Sequence, residues 1–122
     1  MERLARMYKA LSEEMRLRII MLLTHGELCV CELMEIFNEG QSKVSRHLTY
    51  LKHSGMVQSR RVGTWMHYSI KEHLEPEIET QLAFMREQFA GLPVFSEDNR
   101  KLKEVMKQKL CGNTSGQTDC NV

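Results

Sequence analysis

The chain has 122 residues, enough for one domain with a modest core. Its 42% hydrophobic and 27% charged residues are ordinary for a globular protein, and no apolar run approaches the ~20 residues of a membrane helix. The net charge of +1 hides an asymmetry: six basic and no acidic residues fall within 41–71, leaving all sixteen acids and eleven bases elsewhere, a net of −5.

Met1-Glu2-Arg3-Leu4 lacks the apolar stretch of a signal peptide, so a cytoplasmic protein is expected. Thiols stay reduced there. The four cysteines therefore point to metal or redox chemistry and not to disulfide staples.

A first amphipathic helix is expected around Leu4, Tyr8 and Leu11, spaced i, i+4, i+7. Ser12 then offers an N-cap, and Glu13 and Glu14 suit the positive end of a second helix. That helix would bury Met15, Ile19, Leu22 and Leu23, leave Arg16 and Arg18 in water, and end at His25-Gly26. A short third helix carries Leu33, Ile36 and Phe37, and Cys29-Val30-Cys31 stands at its start. After the turn Asn38-Glu39-Gly40, a fourth helix presents Val44, Leu48 and Leu51 on one face and stops at His53-Ser54-Gly55.

The opening of that fourth helix, Gln41-Ser42-Lys43-Val44-Ser45-Arg46-His47-Leu48, reads as a DNA recognition helix. It lies in the acid-free window with Lys43, Arg46, Lys52, Arg60, Arg61 and Lys71. Such a window is the electrostatic footprint of a phosphate-binding surface; the plainer reading is a solvated basic face.

Beyond Gly55 the period changes. Met56–Val62 and Trp65–Ile70 are rich in β-formers, with Gly63-Thr64 as a tight hairpin turn. Helices followed by a basic hairpin make a winged helix-turn-helix, here with five to six helices and a two-stranded wing. A fifth helix over roughly 74–90 carries Ile78, Leu82, Met85 and Phe89, and Gly91-Leu92-Pro93 breaks it. A charged sixth helix is expected over 97–110 with Leu102, Val105 or Met106, and Leu110 on one side. From Gly112 onward the sequence is polar and is expected to be a loose tail. Residues 1–92 are thus expected as the DNA-binding and dimerisation domain, and 93–122 as a C-terminal helix and flexible tail.

Thiolates select soft ions such as trivalent arsenic or antimony, cadmium, lead and zinc. On a helix, residues i and i+2 lie ~200° apart, so ligation by both Cys29 and Cys31 is expected to unwind the first turn of helix three. A distorted third helix would re-aim the DNA-reading helix it supports. The competing view is a pair of buried structural cysteines. Thiol oxidation is another, although neighbouring helical cysteines are badly placed for a disulfide.

Several segments together resemble the ArsR/SmtB family of metal-responsive repressors. They are Ala10-Leu11-Ser12 with Arg16-Leu17-Arg18-Ile19, Glu27-Leu28-Cys29-Val30-Cys31-Glu32-Leu33, and the stretch from Gln41 to Leu48. Leu51, Ser54-Gly55-Met56-Val57 and the hairpin from Arg60 to Tyr68 continue the likeness, which covers residues 2 to about 90. It implies a homodimer joined through the first and fifth helices, bound to an inverted-repeat operator in double-stranded DNA. It also implies repression that is lifted when a ligand binds. A repressor released by trivalent arsenic or antimony is expected, with other thiophilic metals or thiol oxidation as the alternative inducers.

Arsenic sensors of the family often carry a third cysteine where this chain has Met34. Cys111 is the preferred replacement, with Cys120 or an exogenous thiol as the others. Cadmium and lead sensors of the family add cysteines from an N-terminal extension, and none precedes Cys29 here. Zinc sensors use Asp and His on paired fifth helices, and residues 78–90 contain neither.

DNA contacts are expected from Gln41, Ser42, Lys43, Ser45 and Arg46 on the fourth helix, and from Arg60, Arg61 and Thr64 on the wing. His47 is expected on the DNA-facing or flanking side of the fourth helix, and His67 in the wing. The nine methionines read as core filling. No Ser-His-Asp set, Gly-rich phosphate loop or catalytic carboxylate pair stands out, so no enzyme and no catalytic cofactor are expected.

Overall fold

The computed structural model describes residues 1–108. Leu110, Cys111, Cys120 and the polar stretch after Gly112 lie outside the described residues. The described chain folds as a winged helix-turn-helix. Its elements are α1 (Glu2–Ala10), α2 (Glu14–Leu23), β1 (Leu28–Cys29), α3 (Val30–Phe37), α4 (Gln41–His53), β2 (Val57–Val62), β3 (Trp65–Ile70), α5 (Pro76–Phe89) and α6 (Pro93–Gln108).

The expected apolar faces of α2, α3 and α4 are buried, whereas Leu4 and Leu11 of the expected α1 face and Phe89 of α5 are only half-buried. On α1 the buried residues are Met7 and Ala10, while Tyr8 is exposed. The N-cap of α2 is Glu13, whose carboxylate accepts from the Arg16 N–H, and Ser12 instead donates to the Lys9 carbonyl at the end of α1. A carboxylate satisfies an orphan helical N–H as a hydroxyl would and adds favourable charge at the dipole's positive end.

Arg16 and Arg18 are half-buried and not free in water. Arg16 Nε donates to the Ala10 carbonyl at 2.8 Å, and its guanidinium sits 4.0 Å from the centre of the Tyr50 ring. Arg18 donates twice at 2.8 Å to the carboxylate of Asp98, which is 2% exposed, and lies 4.8 Å over the Phe37 ring. Long cationic side chains bury their stems wherever a carboxylate or aromatic face receives the head.

The turn between α3 and α4 is closed by Asn38, whose φ of 54° puts it in the left-handed region that ends helices. Val44, Leu48 and Leu51 of α4 are fully buried against the same core as Ile19, Ile20, Leu33 and Ile36.

The wing has three strands, not two. β1 joins its edge in the order β1-β3-β2, with Leu28 opposite Tyr68 and Cys29 opposite His67. A two-residue strand is too short for alternation to mark it, so only the fold reveals it. The β2–β3 hairpin turns at Gly63, whose φ of +66° is what a two-residue hairpin loop requires.

Helix α6 begins four residues before the expected start, with Pro93 in its first turn. Phe95, Leu102 and Val105 belong to the common core, and α6 packs against both α2 and α3.

Candidate thiol site and nucleic-acid surface

The backbone settles how the two cysteines stand. Cys29 is the last residue of β1 and the N-cap of α3, with extended φ −81° and ψ 153°; only Cys31 is inside the helix. The two sulfurs lie 3.0 Å apart. The expectation that ligation must unwind the first turn of α3 is therefore corrected. An N-cap residue is half outside the helix, so the 200° rule never applies to this pair. Both sulfurs already point to one place.

Glu32 holds this arrangement. Its Oε1 accepts from the Cys29 N–H at 2.7 Å, the glutamate half of a capping box in which the N-cap residue is a cysteine. Glu32 is itself buried, and burial pushes its carboxyl up from the ordinary range while the bond from Cys29 pulls it down.

Cys29 is fully buried and Cys31 nearly so, with Trp65 of β3 packed against the pair. Burial pushes the Cys29 thiol up to about 11; backbone N–H groups of Cys31, Glu32 and Val30 partly offset this. At neutral pH Cys29 is thus protonated, an inert thiol until a ligand displaces its proton.

The strand register brings two further groups to this face. His67, opposite Cys29, is 8% exposed, with Nδ1 4.0 Å from Glu27 Oε1. Burial lowers its basicity, against the opposing pull of Glu27. Glu27 is gripped by Arg60, which donates from Nε at 2.7 Å and from Nη2 at 2.8 Å. Among the described residues no three His, Cys, Asp or Glu groups are assembled to hold a metal ion. Met34 is half-buried on α3, and Cys111 and Cys120 lie outside the described residues.

The polar face of α4 lies opposite its buried stripe. Gln41, Ser42, Lys43 and Arg46 are exposed and Ser45 is half-buried. Lys43 reaches Glu39 at 3.2 Å. His47 is not on this outer face: it is 8% exposed, with Nδ1 3.4 Å from Arg16 Nη1 and 3.9 Å from Glu13 Oε1. It follows Val44 by three positions and so shares the inward side of the helix.

On the wing, Arg60, Arg61 and Thr64 are exposed. The structure separates the two arginines, because Arg60 is committed to Glu27. Lys52 of the acid-free window donates to Ser59 at 2.8 Å and ties α4 to β2, and α4 also exposes Thr49 and Tyr50, which carry no sequence signal for a DNA contact. The Tyr50 ring lies under the Arg16 guanidinium.

A model of the arsR family of bacterial regulatory proteins matches residues 13–59, which span α2 to β2. The chain is 44% identical over 69 residues to the arsenical resistance operon repressor of Escherichia coli, covering 56% of this chain and 59% of that one. It is 35% identical over 85 residues to a cadmium resistance regulatory protein CadC homologue of Staphylococcus aureus, covering 68% and 70%. Against three curated arsenic regulators it matches, the chain spans 53% to 66% of their length. Among solved structures it resembles the homodimeric winged helix-turn-helix DNA-binding domain Mb0332 of Mycobacterium bovis. The TM-score is 0.60 at 30% identity, over 70% of this chain and 77% of that one.

Proposed function

Since the chain belongs to the arsR family of bacterial regulatory proteins, we propose that it is a homodimeric transcriptional repressor. Trivalent arsenic or antimony would lift it from double-stranded operator DNA through Cys29 and Cys31. The observation that carries this reading is the 3.0 Å sulfur pair at the hinge between the wing's edge strand and α3. Once both are reduced, two cysteine sulfurs that converge on one buried spot form a chelating donor set for a soft, thiophilic centre. No helix among the described residues is long and apolar enough to cross a membrane.

Proton balance separates a trivalent metalloid from a divalent cation. Arsenous acid is neutral. Each protonated thiol that displaces one of its hydroxides forms an As–S bond and releases one water, so two thiols yield a neutral dithiolate with one As–OH left. No proton is released and no charged ion has to be dehydrated, which matters where Cys29 is fully enclosed. A divalent cation must instead drive two protons off the pair. The third position would go to Cys111, whose thiol would displace the last hydroxide as water, or to an exogenous thiol. The similarity to a cadmium resistance regulator supports the cadmium alternative.

Release would pass through α3. It lies against α4 and α6, so a ligand that spreads two sulfurs from 3.0 Å to the separation of two As–S bonds presses on the first turn of α3. The ligand shifts the equilibrium only as far as it binds the DNA-free shape better. On the DNA side, Gln41, Ser42, Ser45 and Arg46 would meet base edges, while Lys43, Arg61 and Thr64 would meet phosphates. Arg60 would join them only by leaving Glu27. Exposed Tyr8 on α1 and Phe84 on α5 supply apolar surface for the partner protomer. Residues 1–92 would serve as the DNA-binding and dimerisation part, with α6 packed behind it.

The test is a titration of operator-bound protein, followed by fluorescence anisotropy, with arsenite, antimonite, cadmium, lead and zinc under a phosphine reductant. Release by arsenite and antimonite at lower concentration than by the three divalent ions supports this reading. Release by cadmium or lead alone moves the assignment to a divalent inducer.

A further inference from the structure

We propose that His67 is a third protein donor at the cysteine pair, and that with it the site takes a divalent, borderline-soft cation of the zinc or cadmium type. The inference rests on the reading of Cys29 and Cys31 as the ligand site and adds a histidine on a different element.

Three observations carry it. The first is register. His67 of β3 is the direct antiparallel partner of Cys29 of β1. Directly opposed residues point to the same face of a sheet, with Cβ atoms about 4.5–5.5 Å apart. Trp65, two residues before His67 and so on the same face, packs against the cysteine pair. The second is an unmet need. Nε2 of His67 is buried and has no hydrogen-bond partner among the described residues. A buried polar atom left bare is costly, and native structures retain few without a use. The third is the other ring nitrogen. Nδ1 lies 4.0 Å from Glu27, whose carboxylate is fixed by two bonds from Arg60, and the ring rotation that closes the site has to bring the two within hydrogen-bond reach. A carboxylate behind one ring nitrogen, leaving the other to present its lone pair, is the usual outer support of a metal-bound histidine.

The donor types then choose the ion. Two thiolates and one imidazole are the ligand chemistry of tetrahedral zinc and its heavier congener, with a fourth position for water or another thiol. Trivalent arsenic makes no comparable use of imidazole. The three groups are not pre-assembled in the described residues, so closure calls for side-chain rotation of His67 toward the pair. Binding would then tie the wing strand β3 to the N-terminus of α3, a link that a thiol-only ligand does not make.

The experiment uses the full-length, reduced chain titrated with cadmium chloride against a competing chelator, followed by thiolate-to-metal absorbance, with arsenite titrated in parallel. His67→Gln is expected to weaken cadmium at least about tenfold and to leave arsenite within about threefold. Unchanged cadmium affinity overturns the proposal. An equal loss for both ions also overturns it, because His67 then only supports the fold. Should His67→Gln fail to fold, cadmium-113 bound to the histidine-nitrogen-15 wild type decides. A splitting of the His67 Nε2 resonance by the metal is expected, and an unsplit resonance with the metal bound refutes the assignment. Cys29→Ser distinguishes the layers: if that variant keeps both ions, the reading of the cysteine pair falls, not merely the role of His67.

Discussion

Replacing Asp98 with Asn tests whether α6 is a structural part of the fold. Asp98 is 2% exposed and takes both hydrogen bonds from the Arg18 guanidinium at 2.8 Å. The amide keeps the shape and one acceptor, but it sets an NH2 against a guanidinium N–H and removes the charge. Losing one partner of a buried pair costs about 3–5 kcal/mol. The Arg18 side chain retains 21% exposure, so water recovers part of that. The expected loss is therefore about 2–4 kcal/mol, to be set against a total stability of roughly 5–15 kcal/mol. Urea unfolding followed by circular dichroism, at fixed protein concentration, measures it. Arg100→Ala is the control. Arg100 pairs with Glu97 on the same helix with equally good geometry, at 2.6 Å, but on an exposed surface, so no measurable change is expected. The double change Arg18→Met with Asp98→Leu should return most of the lost stability, since apolar packing replaces a buried pair at little loss. If Asp98→Asn proves as silent as Arg100→Ala, α6 is not anchored by this pair and the reasoning is wrong.

Glu32→Ala removes the carboxylate that fixes the Cys29 backbone; it should destabilise the protein by about 0.5–2 kcal/mol and weaken arsenite binding, whereas Glu32→Gln, which keeps an acceptor, should do little of either. Isothermal titration of the two variants checks this, and equal behaviour contradicts it. Arg46→Ala should cost roughly 1–3 kcal/mol at the operator, measured by anisotropy, and unchanged affinity removes Arg46 from the interface. Arg61→Ala should lower the slope of log affinity against log salt by about one per protomer, so about two for the dimer. Arg60→Ala should lower it less, because Arg60 is held by Glu27; an equal effect of the two would show that Arg60 leaves Glu27 on DNA.

Much of the fold is legible in residues with strong periodicity. Val44, Leu48 and Leu51 mark the buried stripe of α4, and Ile78, Leu82 and Met85 that of α5; all six are buried as spaced. Gly63-Thr64 marks the hairpin because a two-residue loop needs a positive φ. What stayed hidden depends on partners far along the chain. Arg18 looks like a solvated cation until Asp98, eighty residues later, comes beside it. His47 looks exposed until Arg16 and Glu13 close over it. Strand β1 is too short to show a period, and without it the match of His67 with Cys29 cannot be seen.

At the site, a bare Cys-x-Cys suggested a helical pair facing apart. The signal that corrects it was present: Glu32 stands three residues after Cys29, the spacing of a capping box with cysteine in the place of serine. The residue types thus named the chemistry, while the helix boundary, shifted by one residue, decided the geometry.

The most direct test of the central claim is arsenite titration of operator-bound wild type, Cys29→Ser and Cys31→Ser, followed by anisotropy. Serine is a good N-cap, so Cys29→Ser should keep α3 and its DNA affinity. The account predicts that arsenite releases the wild type, and that both serine variants bind the operator as tightly but stay bound. Release of either variant at the wild-type arsenite concentration would contradict it.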